Sequence, residues 1–255
     1  MSATPVEYPA SKTKLVINFV IGGFLLLIGI LFSTALFDDP GNPLGWAGAA
    51  AALGGIAIIA ITFRRNMGRS IIVHDDRVER QVRGNSQSWQ YDTIDGIRVA
   101  AGKTFRHGRN YYNIKNYEFL VNGERALSIP PVYVNWQDAG QRLILEVKKR
   151  LAARYVERIN AGEDVHFDLK TANLGRGMRL KLDAQGITEG DNGLIPWSTV
   201  TVCGFHPNDQ GMAVVDTTGK NQVIAFRYFG SVNSMVAMDV MRAMAAQPTG
   251  PTTQA

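Results

Sequence analysis

Two long apolar runs, residues 15–37 and 44–63, dominate the start of the chain, and neither contains Asp, Glu, Lys, Arg or His. A bilayer core about 30 Å thick is crossed by about 20 helical residues, a length each run reaches. Between them Asp38, Asp39, Pro40, Gly41, Asn42 and Pro43 stop a helix and make a tight turn. The pattern predicts a two-helix transmembrane anchor over residues 15–63, preceded by an N-terminal tail, residues 1–14. Small residues in rows let helices approach closely in lipid: Ala47, Ala51 and Gly55 with Ala50 and Gly54, and Gly22, Gly23 and Gly29 in the first run. They predict a hairpin packed on itself and leave a homodimer or a membrane-protein partner open. Ionisable groups inside a span mark ion and proton pathways; with none here, the pair reads as an anchor and not a transporter.

Beyond residue 69 the apolar period shortens to that of strands. Ile71, Ile72 and Val73 lead through His74, Asp75, Asp76 and Arg77 to Val78, and a polar stretch then reaches Tyr91-Asp92-Thr93-Ile94. Further on, Leu180 and Leu182 lead through Asp183 and Gly186 to Ile187, and a glycine-rich turn reaches Ile195-Pro196-Trp197-Ser198-Thr199-Val200. The two stretches share one plan, with Tyr91 and Thr93 over Trp197 and Thr199, and Asp75 over Asp183. They continue alike. Asn122-Gly123 joins two apolar runs in the first copy, the strongest short hairpin signal, and Asp216 to Gly219 does so in the second. Each copy closes with an amphipathic helix. The first is capped by Asn135 and carries Trp136, Ala139, Leu143, Val147, Leu151 and Tyr155. The second starts near Ser231 and carries Val232, Met235, Val236, Val240, Met241 and Met244. Such stripes pack against their own sheets.

Short strands closed by one helix, twice over, with the D-x-x-G-I turn at Asp183 to Ile187 and I-P-W-x-x-V at Ile195 to Val200, resemble the tandem pleckstrin-homology-like (PH-like) domains of bacterial membrane-anchored proteins, a family of unknown function. The first copy departs from the pattern, with Arg77 in place of Gly186 and Gln90 in place of Pro196. The resemblance implies an α+β fold with a transmembrane hairpin and two PH-like units, each an antiparallel sheet or barrel capped by a C-terminal helix, at residues 70–160 and 165–246. Residues 247–255, rich in Pro, Thr and Gln, read as a disordered tail. The motif residues have structural readings: Gly186 a turn that a Cβ would strain, Pro196 an edge strand, and Trp197 the core.

Charge sets orientation. Lys12 and Lys14 precede the first run and Arg64, Arg65 and Arg69 follow the second, while the connecting turn has no basic residue. Basic flanks stay in the cytoplasm, so both termini are expected there and the protein in the bacterial inner membrane. The net charge of +5 and pI of about 9.4 come largely from basic residues just after the apolar runs. An anionic leaflet attracts such residues. Nucleic acid does too, but no helix-turn-helix, RNP-like or zinc-finger pattern accompanies them, so the membrane surface is the expected partner.

Little chemistry is visible. His74, His107, His166 and His206 lack zinc-ligand spacing, and no serine-hydrolase, Walker or dinucleotide fingerprint occurs, so no metal or cofactor is expected. The one cysteine, Cys203, sits in an apolar stretch as a core thiol and excludes an intrachain disulfide. Asp75, beside His74 and Asp76, reads as a turn-stabilising Asx residue. The most interesting segment is residues 98–115, a basic, aromatic, glycine-containing loop whose counterpart in the second copy is shorter and lacks Lys and Arg. Lys103, Arg106 and Arg109 are suited to attract acidic lipid headgroups, and Phe105 or Tyr111 to dip into the interface; the alternative is a solvated loop. The expected role is a non-enzymatic interaction or lipid-surface-sensing module. An accessory subunit of a membrane complex, or an enzyme with a site between the two domains gathering His74, Asp75, Asp76 and Arg77, remain open.

Overall fold

In a computed structural model of the chain, strand β1 (Val6–Pro9) precedes the apolar helices and pairs antiparallel with β2 (Arg69–Val73), which follows them. The structure describes residues 4–66, 68–106, 109–171, 176–206, 209–217 and 224–247; the expected tail lies outside these beyond Gln247, as do residues 218–219 of the second hairpin turn. The chain divides into two compact units, Met1–Ser88 with Val132–Trp136, and Trp89–Pro131 with Gln137–Ala255.

In the first unit, β1 and β2 continue through β3 (Arg77–Val82) to β4 (Asn85–Gln90) in sheet order β1-β2-β3-β4. Val6, Val73 and Val78 stand in register, and Tyr8, Ile71, Val73 and Val78 are buried on that face. The outer edge of β1 is covered: Ala10 bridges Tyr133, Val134 N donates to Pro9 O (2.8 Å) and Ser11 N to Val132 O (2.7 Å). Residues 1–14, expected as a tail, therefore supply a sheet strand and the start of a helix.

Between β1 and β2 stand α1 (Lys12–Ser33), the short α2 (Ala35–Asp38) and α3 (Pro43–Asn66). The first apolar run breaks at Ser33 and Thr34, whose hydroxyls bond back to Ile30 O (2.8 Å) and Leu31 O (2.6 Å). Asn42 Oδ1 accepts from Leu44 N (2.9 Å) and opens α3 as its cap. The helices meet along glycines. A Cβ on Gly29 would strike the Ala52 backbone and Gly48 O, and one on Gly55 would strike Gly22 O. The seam of α3 runs through Gly45, Gly48, Ala52 and Gly55, at the 3–4 spacing of a packed helix pair; it shares Gly55 with the expected row of Ala47, Ala51 and Gly55, while Ala47 and Ala50 are exposed. A Cβ at Gly23 or Gly54 would meet nothing within 4 Å.

The second unit opens with a 3-10 turn, Tyr91–Thr93, in which Thr93 Oγ1 donates to Gln90 O (2.8 Å). Three open antiparallel sheets follow: β5 (Gly96–Arg106), β6 (Arg109–Val121) and β7 (Glu124–Ile129); β8 (Val165–Lys170), β9 (Gly177–Leu182), β10 (Gly186–Glu189) and β11 (Ile195–Pro196); and β12 (Val200–His206), β13 (Asp209–Thr217) and β14 (Ile224–Arg227). None closes into a barrel among the described residues, and a 3-10 turn stands before β5 and again, at Trp197–Thr199, before β12. Helix α4 (Trp136–Asn160) follows β7 and α5 (Ser234–Ala245) follows β14.

The order of four strands, 3-10 turn, three strands and helix thus occurs twice. Registers agree as well: Val165, Leu182 and Ile187 stand as Val6, Val73 and Val78 do. Strand β1 is the counterpart of β8, and the apolar helices occupy the place of the short β8–β9 connection. The same registers shift the expected turn alignment by one residue. His74 N donates to Arg77 O (2.9 Å) as Asp183 N does to Gly186 O (3.1 Å), so His74, and not Asp75, stands where Asp183 does.

Helix α4 buries Ala139, Leu143, Val147 and Leu151 of the expected stripe, whose ends Trp136 and Tyr155 are half-buried, and Gly140 with them, since a Cβ there would run into the Tyr117 ring. Helix α5 starts at Ser234, later than expected, because residues 230–233 are held along β5. Gly230 N donates to Val99 O (2.9 Å) and Asn233 N to Ile97 O (2.8 Å). The Asn233 side chain donates to Asp95 O (2.8 Å) and accepts from Ile97 N (2.9 Å), with its own backbone left-handed at φ 57°. Replacing it by Ala strands the buried Ile97 N–H and the part-buried Asp95 carbonyl and leaves a residue poorly suited to that φ, a loss of about 2 kcal/mol. Asn233→Ala should therefore lower the thermal unfolding temperature of the purified full chain, with Asn233→Asp, which keeps the acceptor, falling between.

Candidate membrane-surface site

The motif residues that stand out in the sequence form scaffold. Trp197 is 6% exposed, and its Nε1 donates to Asp183 O (2.9 Å). Asp183 Oδ1 accepts from Gln185 N (2.8 Å) and Gly186 N (3.0 Å), and Lys181 Nζ lies 3.3 Å from its other oxygen. Burial pushes the Asp183 carboxyl up, but these N–H groups and the lysine outweigh it and hold it below its ordinary value. Gly186 is required by close approach and not by turn geometry: it has no positive φ, and a Cβ would meet the Ile195 carbonyl of β11. Pro196, in the edge strand, pairs with it. Thr199 Oγ1 donates to Pro196 O (2.8 Å), repeating the Thr93 bond. In the first copy Tyr91 is fully buried; Arg150 lies 5.1 Å over its ring, and Arg154 donates to Asp92 O (2.9 Å) and Ile94 O (2.7 Å).

The basic segment is a long hairpin and not a loop. Strands β5 and β6 stay paired to its tip, with Lys103 opposite Tyr112, Thr104 opposite Tyr111, Phe105 opposite Asn110, and Arg106 opposite Arg109. Directly opposed residues share a face. Lys103, Phe105 and Tyr112 thus project on one side and Arg106 and Tyr111 on the other, while the side chain of Arg109 lies outside the described residues, as do those of Lys14 and Arg65. Phe105 is 69% and Tyr111 51% exposed. Lys103 Nζ sits 6.0 Å from the Tyr112 centroid, and an aromatic chain runs from Tyr112 to Phe229 (5.1 Å), Tyr228 (5.4 Å) and Phe205 (4.6 Å). The β12–β13 hairpin is shorter than this one.

Further along the same strands, Glu118 is buried and paired with Arg98, and it also takes bonds from Asn116 Nδ2 (3.2 Å) and Arg125 Nη1 (3.4 Å). A buried carboxylate needs such partners. Nothing in residue spacing announced this network, because its members come together only across three strands.

The helices α1 and α3 present the other surface of interest. Their apolar windows have mean hydropathy 2.7 and 2.0, and only 11% and 17% of those windows is buried. A core helix of this hydropathy would be mostly covered, whereas Val20, Phe24, Leu27, Leu31 and Leu53 are each over half exposed. Both helices are long and apolar enough to cross a membrane. Lys12 opens α1, Arg64 is near the end of α3 where its carbonyl accepts from Arg83 Nη2 (3.2 Å), and Arg69 begins β2.

His74 Nε2 lies 3.6 Å from Glu79 Oε2, while Arg77 pairs with Asp76 (3.4 Å) at the surface. Bonds from Ser86 and Gln81 hold the Glu79 carboxyl below its ordinary value. Cys203 Sγ packs 3.8 Å from both Met238 O and Met238 Sδ, and burial pushes its thiol up to about 11. No protein-family model and no curated protein matches the chain.

Two outcomes follow from these groups. At pH 8 the half-buried Cys203 thiol, with its raised pKa, should alkylate with iodoacetamide more slowly than free cysteine, and at the free rate once the chain is unfolded in guanidinium; equal rates would show an open thiol. Asp183 stabilises the fold above its unfolded pKa, and that contribution is lost as pH falls through its lower folded value. Asp183→Asn should flatten the acid limb of a stability-versus-pH curve below about pH 4.

Proposed function

We propose that this chain is a membrane-anchored, non-enzymatic module with two cytoplasmic PH-like domains, seated in a bacterial inner membrane, whose β5–β6 hairpin contacts anionic lipid headgroups. The observation that carries the reading is the pairing of β1 with β2 on either side of the apolar helices. Helices that cross a bilayer and are flanked by paired strands have both outer ends on one face of it, the face that Lys12, Arg64 and Arg69 favour on the positive-inside rule. The doubled order of strands and closing helix supports the PH-like assignment. Exposed Lys103, Phe105, Arg106 and Tyr111 combine positive charge with aromatic side chains, the pairing that suits an anionic interface.

A second reading, an accessory subunit of a membrane complex, is favoured by the open space over Gly23 and Gly54, where a partner helix could approach closely.

The test uses the full chain, because a fragment beginning after α3 lacks β1. In nanodiscs, amides of residues 103–112 should exchange hydrogen more slowly with phosphatidylglycerol present than in phosphatidylcholine alone, and the difference should shrink as salt is raised. Replacing Lys103, Arg106 and Arg109 together by Glu should abolish it. Equal exchange in both lipids would overturn the lipid contact.

A further inference from the structure

The β5–β6 hairpin reaches beyond the sheet that supports it. Strand β7 pairs with β6 from Tyr117 to Val121, so from residue 116 outward no third strand is paired to the hairpin among the described residues. A two-stranded hairpin is marginal in water unless one of its faces is packed. Residues 103–106, Tyr111, Asn113 and Lys115 are exposed, whereas Ala101, Tyr112 and Ile114 are half-buried. The register sets Ala101 and Ile114, with Lys103 and Tyr112, on one face, so that is the face that finds cover.

The cover comes from the second copy. Phe229, just after β14, packs on Tyr112 with the ring centroids 5.1 Å apart. Phe229 is itself held on both sides. Before it, Tyr228 O accepts from Ser234 Oγ (2.5 Å), and the Tyr228 ring meets Phe229 at 5.4 Å and Phe205 at 4.6 Å. After it, Gly230 N donates to Val99 O (2.9 Å) at the base of the same hairpin. On the hairpin, Lys103 Nζ stands 6.0 Å from the Tyr112 centroid. One line of contact therefore leads from a pinned segment of the second copy, through one hairpin ring, to one of the hairpin cations.

We propose that Phe229 is a positioning residue for the β5–β6 hairpin: through Tyr112 it holds the outer strands, residues 101–114, in place and with them Lys103. The second copy, whose own hairpin is short, thus braces the surface that the first copy presents. Only the consequence for lipid binding rests on the lipid contact proposed above; the brace itself does not.

Hydrogen exchange of the full chain in nanodiscs tests it. In phosphatidylcholine, Phe229→Ala should speed exchange at amides 101–105 and 110–114 about fivefold, the weight of one aromatic pair. Amides 96–99 and those of α4 should keep the rates of the unaltered chain, and Phe229→Tyr, which retains a ring, should restore the hairpin. Tyr112→Ala removes the same contact from the exposed side and should act alike, so it carries the test should Phe229→Ala not fold. The double variant should be no faster than either single one. With phosphatidylglycerol present, Phe229→Ala should lose most of the added protection of residues 103–112 with Lys103, Arg106 and Arg109 intact. Hairpin exchange unchanged by Phe229→Ala and Tyr112→Ala, or raised equally in α4, overturns the proposal, as does full phosphatidylglycerol protection in either variant. Equal exchange of the unaltered chain in the two lipids would defeat the lipid contact alone, and the phosphatidylcholine comparison then decides the brace.

Discussion

The pairing of β1 with β2 is the constraint on which the first unit depends. Four residues before the apolar helices must find five residues after them, with residues 10–68 between. Closing a flexible loop of that length carries a substantial entropic cost. The helices remove most of it, because their glycine seam holds Gly22 against Gly55 and Gly29 against Gly48, which brings the outer ends of α1 and α3 together. Close helix packing and sheet completion are therefore one event: a side chain wedged into the seam would splay the helix ends and draw β1 away from its partner. The backbone of Val132 to Val134 then covers the outside of β1, so the sheet has no open edge on that side.

The second unit depends on a different kind of lock. Residues 230–233, just before the last helix, are bonded along β5 of the first copy, and Asn233 satisfies two backbone groups there with one amide. Lys148 of α4 and Asp239 of α5 add an ion pair at 2.8 Å. The two sequence copies are thus not two independently packed bodies, and β5, β6, β7 and α4 of the first copy fall in one unit with the second copy. A left-handed asparagine is an economical choice at this point, since its short amide reaches backbone on both sides and tolerates the positive φ.

Much of this was legible in the chain. The apolar runs announced the helices by length alone, the α4 stripe announced much of its buried face, and the alignment of Tyr91 and Thr93 with Trp197 and Thr199 holds, each pair lying in a 3-10 turn that the pattern did not announce. What escaped had physical reasons. Strand β1 is four residues long, and its partner lies beyond two helices, so no local period marks it. The one-residue shift that puts His74 opposite Asp183 is visible only in backbone bonds, because side-chain similarity favoured Asp75. The hairpin of β5 and β6 looked like a loop because its polar outer half has no buried face to impose alternation. The α3 seam was partly misplaced because alanines and glycines crowd every side of that helix, and only contact decides which row is used.

The position of the apolar pair has a consequence for biogenesis. If α1 and α3 span a bilayer, as proposed, β1, made before them, has its partner only once both helices have inserted and β2 has followed. If α3 then failed to insert, β1 and β2 would end on opposite sides of the membrane, and β2 would be left with an unpaired edge of the kind that invites aggregation. On that reading, completion of the first sheet would depend on both helices taking the proposed topology.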